Sequence, residues 1–255
     1  MDIEIPKVCG VLVEPRKMSN IPVLIENFQR VMLGKVLFFF CGKTNYQCYN
    51  DYYKNDSLVV VVNLGVDNFT GKEHNDLWKQ MSFWNNFQDF THILTIQTDG
   101  CLCEDSKYKI EDFYTYDYIG GYTPNKWWWK ETNGLHKYSD YQCFNGGFSF
   151  RKIQSMKDVI DTYPPLPTDD FRDGLSFRAY GEDLYFVVGL LTLNAKNLRD
   201  KIYKVGLDEL ATKFCTHTHY LHKTFCVHKL DSYISKIDLK GFLEYCPLFY
   251  NFIKK

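Results

Sequence analysis

The stretch ILTIQTDG, residues 93 to 100, ends a β-branched apolar run on Gln97, Thr98 and Asp99. Ile93 to Ile96 predicts an inner strand, and open α/β sheets bind ligands just past the carboxyl ends of their strands. The bland reading is a solvated Asp-Gly turn, with Gly100 serving either the turn or a close approach. VLVEPR at 11 to 16 repeats the pattern, with Pro15 ending the ladder. Glu14 could accept bonds from a base or ribose and Arg16 could hold a phosphate; a structural Glu–Arg ion pair is the equal alternative. Asn145-Gly146-Gly147 permits close backbone approach to something flat or bulky such as a sugar ring, or forms a simple bulge. Gly181-Glu182-Asp183 puts two carboxylates at a helix start, suited to capping or to general-base work at a site rim. His228-Lys229 supplies a metal-capable imidazole beside a phosphate-capable ammonium.

Other constellations carry less. His217, His219, His222 and His228 crowd one region, and a strand there would put His217 and His219 on one face. H-x-H alone lacks a four-ligand zinc set. The chain has no G-x-G-x-x-G, no G-x-x-x-x-G-K and no G-x-S-x-G at a strand end, which removes most support for dehydrogenase, P-loop and hydrolase readings.

Elements that position these residues are legible. VCGVLV at 8 to 13, KVLFFFCG at 35 to 42, SLVVVVNLG at 57 to 65 and the 93–96 run predict strands. Ser19 is placed to cap a helix with Ile21, Leu24, Ile25, Phe28, Val31 and Met32 on one face, and a second helix is expected around 73 to 87. Continuous apolar strands alternating with helices predict a parallel sheet covered on both faces. Further on, 116 to 122 and 144 to 152 read as strands, GEDLYFVVGLLTL as a helix from 181, and FLEYCPLFYNFIKK as a closing apolar helix.

The chain has 255 residues, 45% of them hydrophobic, enough for one large core. A formal charge of -1 argues against nucleic acid as a partner. Aromatics make up 17%, and exposed ones could stack on sugar or nucleoside rings. Nine cysteines without a C-x-x-C pair point to a reducing compartment rather than a disulfide framework. With no basic-then-apolar leader and no apolar run long enough to span a bilayer, the expectation is a soluble, cytoplasmic protein with no membrane span.

VLVEPR, FFFCGKTN, ILTIQTDG, IEDFYTYDYIGGY, NGGFSFRK, GEDLYF and FCVHK follow one another from about residue 8 to residue 229. In this order they resemble a poorly characterised family of glycosyltransferases with a GT-A-like, nucleotide-sugar-binding fold. The resemblance implies one GT-A-like (Rossmann-like) α/β domain over 1–255, with a mostly parallel central sheet and helices on both faces. Residues 1–100 would form the nucleotide-binding half and 101–255 the acceptor and catalytic half. It implies sugar transfer, read as inverting, from a nucleotide donor (a UDP-sugar by family analogy) to a hydroxyl of a glycan or protein.

By the same resemblance Asp99 takes the place of the strand-end acid of a D-x-D motif, which holds Mn²⁺ or Mg²⁺ against the donor diphosphate. Gln97 replaces the first acid of that motif, which leaves strict metal dependence open. His228 would reach the metal or diphosphate and Lys229 a phosphate. Glu14, Arg16, Thr98, Asn145, Gly146 and Gly147 would line the donor. Asp183, ahead of Glu182, would be the base that deprotonates the acceptor. Trp127 to Trp129 would shape an acceptor pocket or bury themselves in a loop. Two other classes stay open: an inactive carbohydrate-binding relative in which Gln97 marks a decayed site, and a sugar-phosphate nucleotidyltransferase, whose Gly-rich N-terminal phosphate loop is missing. The sequence leaves the oligomeric state open.

Overall fold

The computed structural model of the protein describes residues 5–123, 142–169, 176–221 and 223–253. The Trp127–Trp129 run and His222 lie outside the described residues. In chain order the elements are β1 (Val8–Glu14), α1 (Ile21–Val31), β2 (Leu37–Cys41), α2 (Lys43–Tyr53), β3 (Val59–Asn63), α3 (Gly71–Trp78), α4 (Met81–Trp84), β4 (His92–Ile96), β5 (Gly100–Leu102), β6 (Tyr118–Tyr122), β7 (Cys143–Lys152), α5 (Ile153–Thr162), α6 (Glu182–Ala195), β8 (Cys215–Thr216), β9 (Cys226–His228) and α7 (Lys236–Tyr245).

Every residue of β1 is buried, because helices cover both faces of its sheet. Val8 and Leu12 face one core, and Cys9, Val11 and Val13 face the other, the period-two division of a strand. The first core takes Leu24 and Phe28 from α1, Tyr53 from α2 and Phe242 from α7. The second takes Trp78 from α3, Trp84 from α4, Val159 from α5 and Phe186 and Leu190 from α6. Each fully buried Leu or Phe contributes about 1.5–3 kcal/mol relative to exposure, so these two layers hold the strand ends in place.

Strand order is β3-β2-β1-β4-β7-β6-β8-β9-β5. β1 to β4 pair in parallel, as the apolar runs predicted. β7 then runs antiparallel to both β4 and β6, and β5 antiparallel to β9, so the sheet is mixed and mostly parallel. β4 stands mid-sheet and β5 at one edge, although only Gln97, Thr98 and Asp99 separate them in sequence. That is possible because the sheet curls. At Gly100 a Cβ would sit 2.2 Å from the Val227 carbonyl oxygen and 2.6 Å from the Phe148 ring. The glycine therefore admits neighbouring strands.

Several boundaries differ from the sequence reading. α1 starts after Asn20, whose side chain makes no cap bond, and not after a Ser19 cap; Pro at its first turn fixes the entry. α2 escaped sequence reading because its polar and tyrosine-rich residues bury fully only Tyr53. The expected 73–87 helix divides into α3, α4 and a 3-10 turn at Asn85–Phe87, with Thr70 and Glu73 forming a capping box that sets the start of α3. The closing helix is α7, followed by a 3-10 run Pro247–Phe252. Pro247 has no N–H with which to continue an α-helix.

Candidate functional site

A cleft of about 290 Å³ opens at the carboxyl ends of β1 and β4, lined by Glu14, Arg16, Gln97, Thr98 and Asp99 on one side and by Thr70, Gly71, His74 and Asn75 of the α3 start on the other. Parallel β1 and β4 end side by side, so two polar segments 80 residues apart in sequence face one space.

Glu14 is buried and its carboxylate is saturated. Oε1 accepts from the Arg16 backbone N–H at 3.0 Å and from Arg16 Nε at 2.8 Å; Oε2 accepts from Arg16 Nη2 at 2.8 Å and from Thr98 Oγ1 at 3.3 Å. The structural ion pair is thus formed, and it orients a guanidinium that stays 56% exposed. Arg16 can still present its remaining donors to an anion in the cleft; Glu14 has little acceptor capacity left for a base or ribose.

Asp99 meets His228 across the curl of the sheet. Asp99 Oδ1 and His228 Nε2 are 3.0 Å apart, and both atoms are buried with no other hydrogen-bond partner among the described residues. The protonation of the ring follows from its other edge. Asn145 Oδ1 accepts the Gly147 N–H at 3.1 Å, which identifies it as the oxygen, and it lies 2.6 Å from His228 Nδ1. Nδ1 must therefore donate. The other ring nitrogen, Nε2, then faces the Asp99 carboxylate oxygen, an arrangement that takes a proton or a cation between them. Burial alone would raise the Asp99 carboxyl; its contact with His228 and the nearby charge of Lys229 outweigh that and hold it down at about 2. The Lys229 backbone N–H donates to the Asp99 carbonyl at 2.8 Å, and Lys229 adopts φ +50° there, a left-handed conformation unusual for a side chain with a Cβ. Among the described residues its ammonium makes no ion pair.

Asn145-Gly146-Gly147 bends β7 beneath this pair. The approach its glycines permit is by the protein's own side chains. A Cβ on Gly146 would lie 2.2 Å from Glu182 Oε1, and one on Gly147 would lie 2.1 Å from the His228 ring. Glu182 is ion-paired through both carboxylate oxygens to Arg151, a side chain with no exposure, so it is not a free base. Asp183, one residue on, receives only the Leu184 N–H at 2.8 Å and the Gly146 N–H at 3.4 Å among the described residues. Burial, then the charge of Glu182, push its carboxyl up to about 6. Asp183 keeps partial exposure although it is walled in on most sides. The start of α6 abuts the cleft: Asn75 Oδ1 accepts the Glu182 N–H at 2.9 Å, and Gly181 lies between Asn75 and Asp183.

Of the described members of the histidine cluster, His217 and His228 come together and His219 does not. β8 ends at Thr216; His217 is buried with its ring 5.1 Å from that of His228 and 4.7 Å from that of Tyr233, while His219 is exposed. Among the described residues no group of three or more His, Cys, Asp or Glu is placed to hold a metal. Sequence reading also missed His74, Asn75 and Arg151. Arg151 carried a signal: in FSFRK, Phe148 and Phe150 alternate with Ser149 and Arg151, so an arginine had to lie on a buried face with partners.

A curled, mostly parallel α/β sheet with a polar cleft at its strand ends defines the class. The chain belongs to the family described as protein of unknown function (DUF5672), whose model matches residues 59–229. The matched span holds Asp99, the Asn145–Gly147 bend, Asp183, His228 and Lys229, while Glu14 and Arg16 precede it. No curated protein matches the chain.

Proposed function

We propose that this protein is a glycosyltransferase that binds a nucleotide-sugar, a UDP-sugar first among them, in the strand-end cleft and transfers the sugar to a hydroxyl of a glycan or protein. The observation that carries the reading is the Asp99–His228 pair. Two buried groups face each other at 3.0 Å, neither atom with another hydrogen-bond partner among the described residues, and Asn145 fixes the ring so that Nε2 is turned to Asp99. Two ligands at right angles on an octahedral ion with bonds near 2.1 Å are about 3.0 Å apart, so the pair fits Mn²⁺ or Mg²⁺. A histidine ligand is commonly oriented by a hydrogen bond at its other nitrogen, the part Asn145 plays. With only two protein ligands, such an ion would complete its shell with water and donor phosphate oxygens. When bound, it would neutralise charge on the leaving diphosphate.

The chain's own residues supply the rest. Arg16, aimed by Glu14, and Lys229 offer positive charge to the diphosphate. Thr98 and the α3 start wall the nucleotide side. Asp183, held largely protonated only below pH 6, accepts the proton of the acceptor hydroxyl as its oxygen attacks the anomeric carbon and the bond to the diphosphate breaks. Glu182 serves the fold.

The test combines a thermal-shift screen of nucleotide sugars, with and without Mn²⁺, with an assay for released UDP; a ligand that binds the native state raises apparent stability by mass action. We expect a UDP-sugar to stabilise the wild type more with Mn²⁺ than without. Asp99→Ala should lose both the metal increment and turnover, and Gln97→Asp should keep or raise metal affinity. Wild-type turnover and metal response in Asp99→Ala would overturn the assignment. Glycan binding without turnover would favour an inactive binding relative, and pyrophosphate release a nucleotidyltransferase.

A further inference from the structure

We propose that Arg151 is a positioning residue: from inside the core it clamps the first turn of α6 to the Asn145–Gly147 bend, and so sets where Asp183 stands relative to Asp99 and His228. This rests on the glycosyltransferase reading for its consequence in turnover, but the geometry stands without it. Arg151 is fully buried. Its Nη1 and Nη2 donate to the two oxygens of Glu182, Nη2 also to the Gly146 carbonyl at 3.2 Å, and Nε to Ser149 Oγ at 2.7 Å. Trp78 and Tyr118 face the guanidinium at 4.9 and 5.0 Å.

The Gly146 carbonyl accepts from Arg151 Nη2 and from one of the Ser149 and Thr95 hydroxyls, each 3.0 Å from it and 2.7 Å from one another. Its peptide plane is thereby fixed, and both neighbours of the cleft hang on it. On one side the Gly146 N–H points to Asp183. On the other, Asn145 takes the Gly147 N–H and orients His228. One bend therefore sets the placement of the carboxylate and of the Asp99–His228 pair together. Only a planar fork can grip a carboxylate with two donors while a third reaches Ser149; a lysine would keep the charge and lose the geometry.

Three charged or titratable groups act on Asp183: Glu182 from its own helix, Arg151 from β7 and Tyr118 from β6. Glu182 raises the Asp183 carboxyl and Arg151 lowers it. The experiment is carboxyl-carbon NMR titration of Asp183, which needs no substrate, in the wild type, Glu182→Gln and Arg151→Lys, each first checked for cooperative unfolding. Glu182→Gln keeps an acceptor for Arg151 and removes the like charge, so the Asp183 midpoint should fall by about one pH unit. Arg151→Lys should move the midpoint as the clamp loosens. In the UDP-release assay it should lower kcat on the order of 10²-fold.

An Asp183 midpoint unchanged in Arg151→Lys would overturn the proposal, whatever the turnover. The expected NMR shifts in a protein that neither binds nor turns over any nucleotide sugar would retain the positioning role and defeat the glycosyltransferase reading instead. Should Arg151→Lys fail to fold, Ser149→Ala loosens the same carbonyl with the ion pair intact, and an Asp183 midpoint unmoved there would overturn the proposal equally.

Discussion

Asp183 and Glu182 share a motif and differ in everything that matters for chemistry. Adjacent helical residues point about 100° apart; Glu182 falls toward Arg151 and Asp183 toward the cleft wall. The Asp183 carboxyl, pushed up to about 6 by burial and by Glu182, binds its proton more tightly folded than unfolded. Its contribution to stability is therefore fully present below the ordinary carboxylate range, declines from there, and is lost as pH rises through 6. Asp183→Asn should accordingly stabilise the protein at pH 7, by roughly 1–2 kcal/mol, while lowering kcat by about 10²–10⁴-fold. Urea denaturation at pH 7 and at pH 4.5 checks the first half, since the gain should shrink at the lower pH. For the wild type, the acid limb of kcat should fall near pH 6. Equal loss of donor affinity and turnover in Asp183→Asn would assign the residue to sugar binding.

At the scale of elements, the β7 bend is where strand, helix and site meet. Because a Cβ at Gly146 would run into Glu182 Oε1 and one at Gly147 into the His228 ring, either glycine must push a buried side chain aside when replaced. Gly146→Ala and Gly147→Ala should each cost about 1–3 kcal/mol, read as a lower urea midpoint with an unchanged slope. The two should differ in function. Gly147→Ala displaces His228 and should remove the Mn²⁺ increment in the thermal shift, whereas Gly146→Ala acts through Glu182 and should leave it. A wild-type urea midpoint in both variants would mean the bend tolerates a side chain and is not a fixed joint.

For the whole molecule, the two cores predict how the thiols behave. Eight of the nine free cysteines are buried and Cys48 is exposed. Burial raises thiols such as Cys9 and Cys143 well above their ordinary range, and the thiolate is the reactive form. An alkylating reagent at pH 8 should modify one thiol, Cys48, rapidly in the native protein and the rest only on unfolding; Cys48→Ser should abolish the fast phase. Two or more fast thiols in that variant would show that the cores open more readily than their packing suggests. Among the described residues no helix is long and apolar enough to cross a membrane.

The apolar runs at 8–13, 35–42, 57–65 and 93–96 determined β1 to β4 and their parallel pairing, because a strand buried on both faces must be apolar along its length. They also placed Glu14, Arg16 and Asp99 at strand ends, since a polar residue right after such a run has nowhere else to go. What partners those residues meet was left to the tertiary structure. Glu14 takes Arg16 as its partner, Asp99 takes His228, 129 residues onward, and Glu182 takes Arg151. The antiparallel turn of β7 and the curl that carries β9 back over it create the last two contacts. Local sequence has no access to either, because which of two adjacent carboxylates is neutralised depends on a charge delivered from another strand.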